Sequence, residues 1–554
     1  MTIAITGIGI VSALGIGQAA NRAALRKSES HVGSLSILPT LHRTYPAGEI
    51  PLTNEELISQ THLDIPATYS RNTILGIIAL QEALRDAGTS CTTLINGTTV
   101  GNMDKTEGYY GAWMQEDWTT IGEIANHRAA LHTRQMADYC GITDMQTVST
   151  ACSSALNAII CGANRIRNGE VNCVAVGGVD SLTKIHWNGF ASLGILSTQR
   201  CRPFQDDRDG INLGEGAAYL IIEDAAHAKA RGAHIYGYIS GYSNSCDAYH
   251  PTASSPDGEG AYQTMRTSLA MAGLTPADIP YINAHGTATP NNDASELCAI
   301  QRLWGDQLPI IESTKPLTGH TTSASGSIEV IFCLDRMQEK GYHATLSNAF
   351  GFGGNDSTIV ITDSDCDVDE DVDVNANVNA NANIIEGPVV KSDGGLDYSA
   401  YLPPMQARRM TMMMRQMVVA ARQAIEQAAM GEPDAIILAT QWGAMVPSYQ
   451  LLDRMQATNE EEMSPSLFMM AANNALATTL ARLIGCKGYN LTLMGLDDLW
   501  EQAHQEAVRT IQGGMAKRVL VVAMDEIADG WQQLLEKANC AATNIAQAQM
   551  ITVC

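Results

Sequence analysis

Short apolar, β-branched runs alternate with alanine-rich amphipathic stretches through residues 1–362. The runs Ile3–Ile5, Cys173–Val176, Ala218–Ile222, Tyr281–Asn283 and Thr358–Ile361 predict strands, and Thr73–Ala87 and Ser153–Arg167 carry helical spacing. Interleaved elements of this kind predict an α/β fold with largely buried sheets. The first strand is expected to end early, in a glycine turn, because Gly7 and Gly9 follow it closely.

The pattern breaks after residue 362. Residues 363–373 read DSDCDVDEDVD and residues 374–383 read VNANVNANAN. Like charges repel in the first, and the second lacks large apolar side chains, so neither can offset its chain entropy by burial. Residues 363–385 therefore read as a linker. The Asp run lacks the central glycine and closing Glu that a calcium loop requires.

Residues 386–554 then repeat the front of the chain. DAIILATQWGAMVPS (434–448) lies over 92–106, and RTIQGGMAKRVLVVAMDE (509–526) lies over 165–181, with Asp525 on Asp180. The last residues, 546–554, lie over 214–222. The same register puts Asp497 where Cys152 stands. Three segments result: 1–362, with halves of about 1–225 and 226–362; the linker 363–385; and the half-domain 386–554.

Bulk properties narrow the function. The 554 residues are 45% hydrophobic and 17% charged, a soluble globular composition expected to form two to four structural units. No apolar run approaches the roughly 20 residues of a membrane span, and the start has no signal-peptide pattern, so a cytoplasmic location is expected. A net charge of −25 argues against a nucleic-acid partner. The 13 cysteines are scattered without a C-x-x-C pair, which predicts reduced thiols and no zinc site.

Four elements carry candidate chemistry. Cys152, in VSTACSSAL, stands where a β-branched run meets a helix, and a helix N-terminus favours thiolate, so a lowered pKa is expected. His285 follows an apolar strand in NAHGTATP, with Thr287 and Thr289 offering hydroxyls. Lys315 and His320 share KPLTGH, ahead of a helix bearing Glu329. Phe350–Asn355 reads FGFGGN, whose glycines Gly351 and Gly353 let backbone N–H groups approach a reacting carbonyl. Each alone has a plain structural explanation: an inert thiol, a satisfied histidine, a tight turn.

As an ordered set they resemble the β-ketoacyl-acyl-carrier-protein synthases of the thiolase-like superfamily, across nearly all of residues 1–362. RPFQDDRDGINLGEGA (202–217) adds to the likeness, although Gln205 stands where that family has Asp. The resemblance implies a five-layered α-β-α-β-α fold and a decarboxylative Claisen condensation. In it Cys152 would hold the acyl chain, and His285 and His320 would assist loss of CO2 and hold the enolate. Lys315 and Glu329 would orient the histidine turn, and Thr287 and Thr289 would hold pantetheine. Phe352, flanked by Gly351 and Gly353, would be gate and oxyanion donor. No metal or redox cofactor is implied. A thiolase would pair one histidine with a second cysteine, and a chain-length-factor scaffold would lack Cys152.

The tail segment SPSLFMMAANNALA (464–477) resembles synthase-like N-terminal domains of aryl-polyene pathways, with Asn473 replacing a histidine. With Asp497 in place of the thiol and no histidine turns, this half is expected to be non-catalytic. It would pack on the synthase as a partner subunit does, with Asp497 contributing wall. The implied partners are an acyl carrier protein and a second copy, a pseudo-dimer half or a further synthase-like subunit. Lys184, Arg200 and Arg202 are candidates for carrier docking.

Overall fold

The computed structural model describes residues 2–66, 68–365, 384–392, 397–540 and 542–553. The acidic run beyond Asp365 and the Val-Asn-Ala repeat lie outside these residues. Asp363 and Asp365 are tied back to the first domain, by His343 Nδ1 (2.7 Å) and Lys229 Nζ (2.6 Å). Ile384 and Ile385, expected in the linker, already belong to a strand, Ile384–Glu386.

Two five-stranded sheets build residues 1–362. The front sheet runs Asp144–Val148, Thr93–Gly97, Cys173–Asp180, Gly216–Asp224 and Ile3–Ser12. The rear sheet runs Ile310–Glu312, Tyr281–Asn283, Ala344–Gly351, Asn355–Thr362 and Gly237–Cys246. Helices Ser154–Arg167 and Ser325–Lys340 fill the layer between them, the first buried along almost its whole length and the second as far as Asp335. Helix Arg71–Ala87 covers the front sheet and helix Glu259–Met271 the rear one. The five layers are those the resemblance implied.

The first strand does not turn at Gly7 but continues to Ser12. The glycines serve packing: a Cβ at Gly9 would lie 1.9 Å from the Ala79 carbonyl oxygen of the covering helix. A strand whose every residue is buried can bring a helix this close only where side chains vanish. Helix Arg71–Ala87 starts at Ser70, whose hydroxyl accepts from the Thr73 N–H at 3.0 Å, a standard N-cap.

The tail is a third sheet in the order Asn490–Met494, Ala435–Thr440, Arg518–Asp525, Ile545–Val553, then Ile384–Glu386 and Val390–Ser392. Order and strand directions match the front sheet, with the two short strands together in the place of Ile3–Ser12. The repeat extends to side chains. Asp180 accepts from Thr98 Oγ1 and the N–H groups of Thr99 and Val100, and Asp525 accepts from Thr440 Oγ1 and the N–H groups of Gln441 and Trp442. The last strand is shifted from the sequence register by three residues: Ile545 pairs with Asp525 as Gly216 pairs with Asp180.

The two edge strands meet. Val148 pairs with Leu493 and Thr147 with Met494, antiparallel, so one sheet crosses from the first domain to the tail. Leu491 and Leu493 join Ile95, Val148 and Ile159 in a single core. An unpaired strand edge on either side would be an association hazard. Among the described residues no single helix is long and apolar enough to cross a membrane.

Candidate active site

Cys152 sits in the one-turn segment Ala151–Ser153 between strand Asp144–Val148 and helix Ser154–Arg167. Ala151 takes φ 53°, a left-handed conformation that a small side chain tolerates best. The glycine-rich hairpin closes over this turn, and a Cβ at Gly351 would fall 2.7 Å from the Thr150 carbonyl oxygen. Gly351 is therefore needed to bring the Phe352 N–H to the Cys152 sulfur, to which it donates. The thiol pKa is not lowered as expected for a helix N-terminus. Burial pushes it up to about 12, outweighing Lys315 and the Phe352 hydrogen bond.

The resting thiol instead has an adjacent base. His320 Nε2 lies 3.0 Å from Cys152 Sγ, and His320 Nδ1 lies 2.8 Å from Ser325 Oγ. A hydroxyl can accept from Nδ1–H or donate to bare Nδ1, so Ser325 supports either tautomer. The His285 ring stands edge-on to His320 at 5.3 Å. Sulfur and both imidazoles bring ligand-type atoms within 4.8 Å of one another.

Both rings are held neutral. Burial, the Lys315 charge and, for His285, the neighbouring His320 keep their pKa values well below the ordinary 6.5. Lys315 is 1% exposed and bonds Glu329 Oε1 at 2.6 Å. Burial raises the Glu329 carboxyl and Lys315 opposes the rise. Lys315 therefore acts on both rings while held by Glu329, and the neutral imidazoles can offer N–H groups to an anion formed between them.

Glu296, not picked out in the sequence, fixes the His285 turn: its carboxylate accepts from the N–H groups of His285 and Gly286, both at 2.9 Å. Asp180 does the same for the opposite turn, accepting from Thr322 Oγ1 and the Ser323 N–H.

Cys152 is shared by two cavities. The histidine-side cavity, about 340 Å³, is lined by His285, His320, Thr287, Thr289, Gly351 and Gly353. Thr287 and Thr289 present their hydroxyls 2.8 Å apart on one wall. The tail-side cavity is tighter, about 90 Å³, and its walls include Trp442, Ser448, Leu451 and Phe468 of the tail. Phe352 and Phe190 line both cavities, stacked at 5.7 Å, and Phe468 packs edge-on to Phe190 at 5.4 Å.

The tail also holds the hairpin. Asn474 Nδ2 donates to the Phe352 carbonyl (2.8 Å) and to Asn355 Oδ1 (2.9 Å). Asn473, the residue replacing a histidine, donates to Ser149 Oγ at 3.1 Å. Asp497 does occupy the position of Cys152, heading the helix Leu499–Gln512, but it is exposed and contributes no wall to the tail-side cavity. Lys184 is committed to the tail through Glu460 (2.8 Å) and Arg202 pairs with Asp207, which leaves Arg200 as the exposed member of the expected docking set.

Comparison with known proteins agrees with this geometry. The N-terminal domain of β-ketoacyl synthases matches residues 1–228, the C-terminal domain matches 236–348, and a second N-terminal-domain model matches 387–553. A putative mitochondrial 3-oxoacyl-[acyl-carrier-protein] synthase of Schizosaccharomyces pombe is 30% identical over 421 residues, covering 64% of this chain and 98% of the relative. The 3-oxoacyl-[acyl-carrier-protein] synthase 2 of Rhizobium meliloti is 39% identical over 252 residues, 39% of this chain and 60% of the relative. Among solved structures, the ishigamide ketosynthase/chain length factor is 26% identical with a TM-score of 0.59, over 66% of this chain and 99% of that one. The PfaC keto synthase-chain length factor shares the fold over 100% of this chain and 78% of its own, with a TM-score of 0.76 at 13% identity. With the cysteine and both histidines lining one pocket and both synthase domains matched, the chain belongs to the β-ketoacyl synthase family.

Proposed function

We propose that the chain catalyses decarboxylative condensation of a malonyl thioester with an acyl chain carried on Cys152, both delivered by an acyl carrier protein. The observation that carries this is the 3.0 Å contact of Cys152 Sγ with His320 Nε2, beside a second neutral imidazole. His320 takes the thiol proton as sulfur attacks the incoming thioester. The tetrahedral oxyanion is held by the N–H groups of Cys152 and Phe352, and the pantetheine thiolate leaves with the proton. The malonyl thioester next occupies the histidine-side cavity, with Thr287 and Thr289 toward its pantetheine. It loses CO2, and the enolate oxygen is held by N–H groups of His285 and His320. The enolate carbon attacks the Cys152 thioester, and collapse releases the cysteine and a β-ketoacyl product. Decarboxylation supplies the driving force, so the sequence of steps uses no metal or redox group.

The tail acts as the non-catalytic half of a pseudo-dimer, completing the acyl pocket. Carrier docking is assigned to a groove lined by Arg409 and Arg482 of the tail, which shares Leu193, Thr252, Phe352 and Gly353 with the histidine-side cavity. Family carriers are acidic, and rim charges act mainly on association. Arg409→Glu should therefore raise the KM for carrier-bound substrate and leave kcat unchanged. The reaction itself is tested by incubating the full chain with malonyl-carrier protein and an acyl-carrier protein. CO2 release with a β-ketoacyl product supports it, and an acyl exchange without CO2 release rules it out.

A further inference from the structure

Cys152, His285 and His320 stand on three separate turns, yet one ligand-type atom of each, the Cys152 sulfur and a nitrogen of each ring, lies within 4.8 Å of the other two. All three residues line the histidine-side cavity, so the point where these atoms converge opens on a space of about 340 Å³. Both rings are held neutral, and each keeps a bare nitrogen lone pair. Ser325 Oγ steadies His320 through Nδ1 at 2.8 Å, the kind of outer contact that orients a metal-bound histidine. Among the described residues no other group of three His, Cys, Asp or Glu side chains converges in this way. The absence of closely spaced cysteines predicts no zinc site only for ligands that are neighbours in the chain, and these three are not.

One sulfur and two imidazoles are the donors of a tetrahedral zinc site with one position open, whereas magnesium and calcium take oxygen. Bonds of about 2.3 Å to sulfur and about 2.0–2.1 Å to nitrogen put the two ligand atoms about 3.5 Å apart. The 3.0 Å contact of Cys152 Sγ with His320 Nε2 would have to open by only about half an ångström. Lys315 opposes a cation here, but Glu329 pairs with it at 2.6 Å, and a thiolate ligand cancels one of the two zinc charges. We infer that Cys152, His285 and His320 form a reversible site for a thiophilic divalent cation, Zn²⁺ foremost, whose occupancy blocks the thiol. On binding, the Cys152 S–H bond breaks, a Zn–S bond forms and the proton leaves to solvent. Each imidazole gives a lone pair and water takes the fourth position. Nothing is oxidised, so withdrawing the metal restores the thiol.

The site stands on geometry alone; that its occupancy also stops acyl loading rests on the reading of Cys152 as acyl acceptor. The full-length protein is stripped with a chelator and titrated with Zn²⁺, and iodoacetamide alkylation of each cysteine is followed by peptide mass spectrometry. Zinc sites in peptides saturate at micromolar metal, so one equivalent should slow Cys152 alkylation about tenfold or more. The partly exposed Cys298 and Cys540 should be unaffected, and added chelator should restore the rate at Cys152. Co²⁺ in place of zinc should give a thiolate-to-metal charge-transfer band together with the visible bands of tetrahedral cobalt. Ser325→Ala keeps all three ligands and should weaken protection about 10–100-fold, and His285→Ala should abolish it. No protection of wild-type Cys152 in tenfold excess Zn²⁺ overturns the inference whatever the variants do. Protection that survives His285→Ala reduces the site to a lone thiol and overturns it too. Acyl loading should fall over the same range of Zn²⁺. A protein whose Cys152 is protected by zinc yet never takes an acyl group would overturn the acyl-acceptor reading and bear out the metal site.

Discussion

The chemistry of the site is set by how burial and one cation share out protons among a few side chains. Cys152 holds its proton because burial dominates, and His320 is free to take it because burial, aided by Lys315, keeps that ring neutral. Protonating His320 removes the base, so acyl loading should fall on the acid side only well below pH 6.5. In Lys315→Met the depressing charge is gone, and the acid limb should move up toward 6.5. A pH–rate profile of adduct formation checks this, and an unmoved limb would mean that Lys315 does not govern the histidines. Removing one oxyanion-type donor costs about 10²–10³ in rate. His285→Ala should lose malonyl decarboxylation by that factor yet still accept an acyl group on Cys152, since His320 and the Phe352 N–H remain. Cys152→Ala should accept none while keeping its melting temperature. The thiol, both histidines, Lys315 and Glu329 were legible in the sequence because each stands in a short motif with a fixed local turn. Trp442 and Phe468 were not. Their role arises only when two segments far apart in the chain share a cavity, and nothing in their local spacing signals that.

Among the elements, the glycine-rich hairpin depends on a helix outside its own domain. Asn474 binds the Phe352 carbonyl, and the Thr478 Oγ1 of the following helix lies 2.6 Å from where a Gly353 Cβ would be. The N–H that stabilises the oxyanion and the carbonyl that the tail grips belong to the same residue. Asn474→Ala should therefore slow acyl transfer by about tenfold or more while costing roughly 2 kcal/mol of stability, the ordinary value of its two hydrogen bonds. A variant that loses stability but keeps full transfer rate would make Asn474 a structural contact only. Strand and helix cores were readable from periodicity at this scale, and Tyr281–Asn283 matches to the residue. Strand ends were not, because Gly7, Gly9 and Gly177 look like turn residues until the neighbouring backbone that excludes their side chains is in view. Gly177 itself lies against the Ala218 carbonyl oxygen, 2.0 Å from its would-be Cβ.

At the scale of the whole molecule, the repeat was the most informative feature of the sequence. Asp525 and Asp497 fell on their counterparts, yet the exposure of Asp497 could not be foreseen, because it depends on which edge of the tail meets the synthase. A protein ending at residue 362 would uncover strand Asp144–Val148 and the wall of the tail-side cavity. It should aggregate or self-pair, and load acyl chains poorly, as size-exclusion chromatography and adduct formation would show. A soluble, fully active 1–362 fragment would leave the tail without the role assigned to it. The pairing of Val148 with Leu493 has one more consequence. When two such halves reside on separate chains, assembly is governed by mass action, and dilution or unequal expression leaves some catalytic halves alone. Here both halves are made in equal number by a single translation event, and their encounter is intramolecular. Specific activity should therefore hold constant on dilution, and a cell carrying this chain has no stoichiometry to balance.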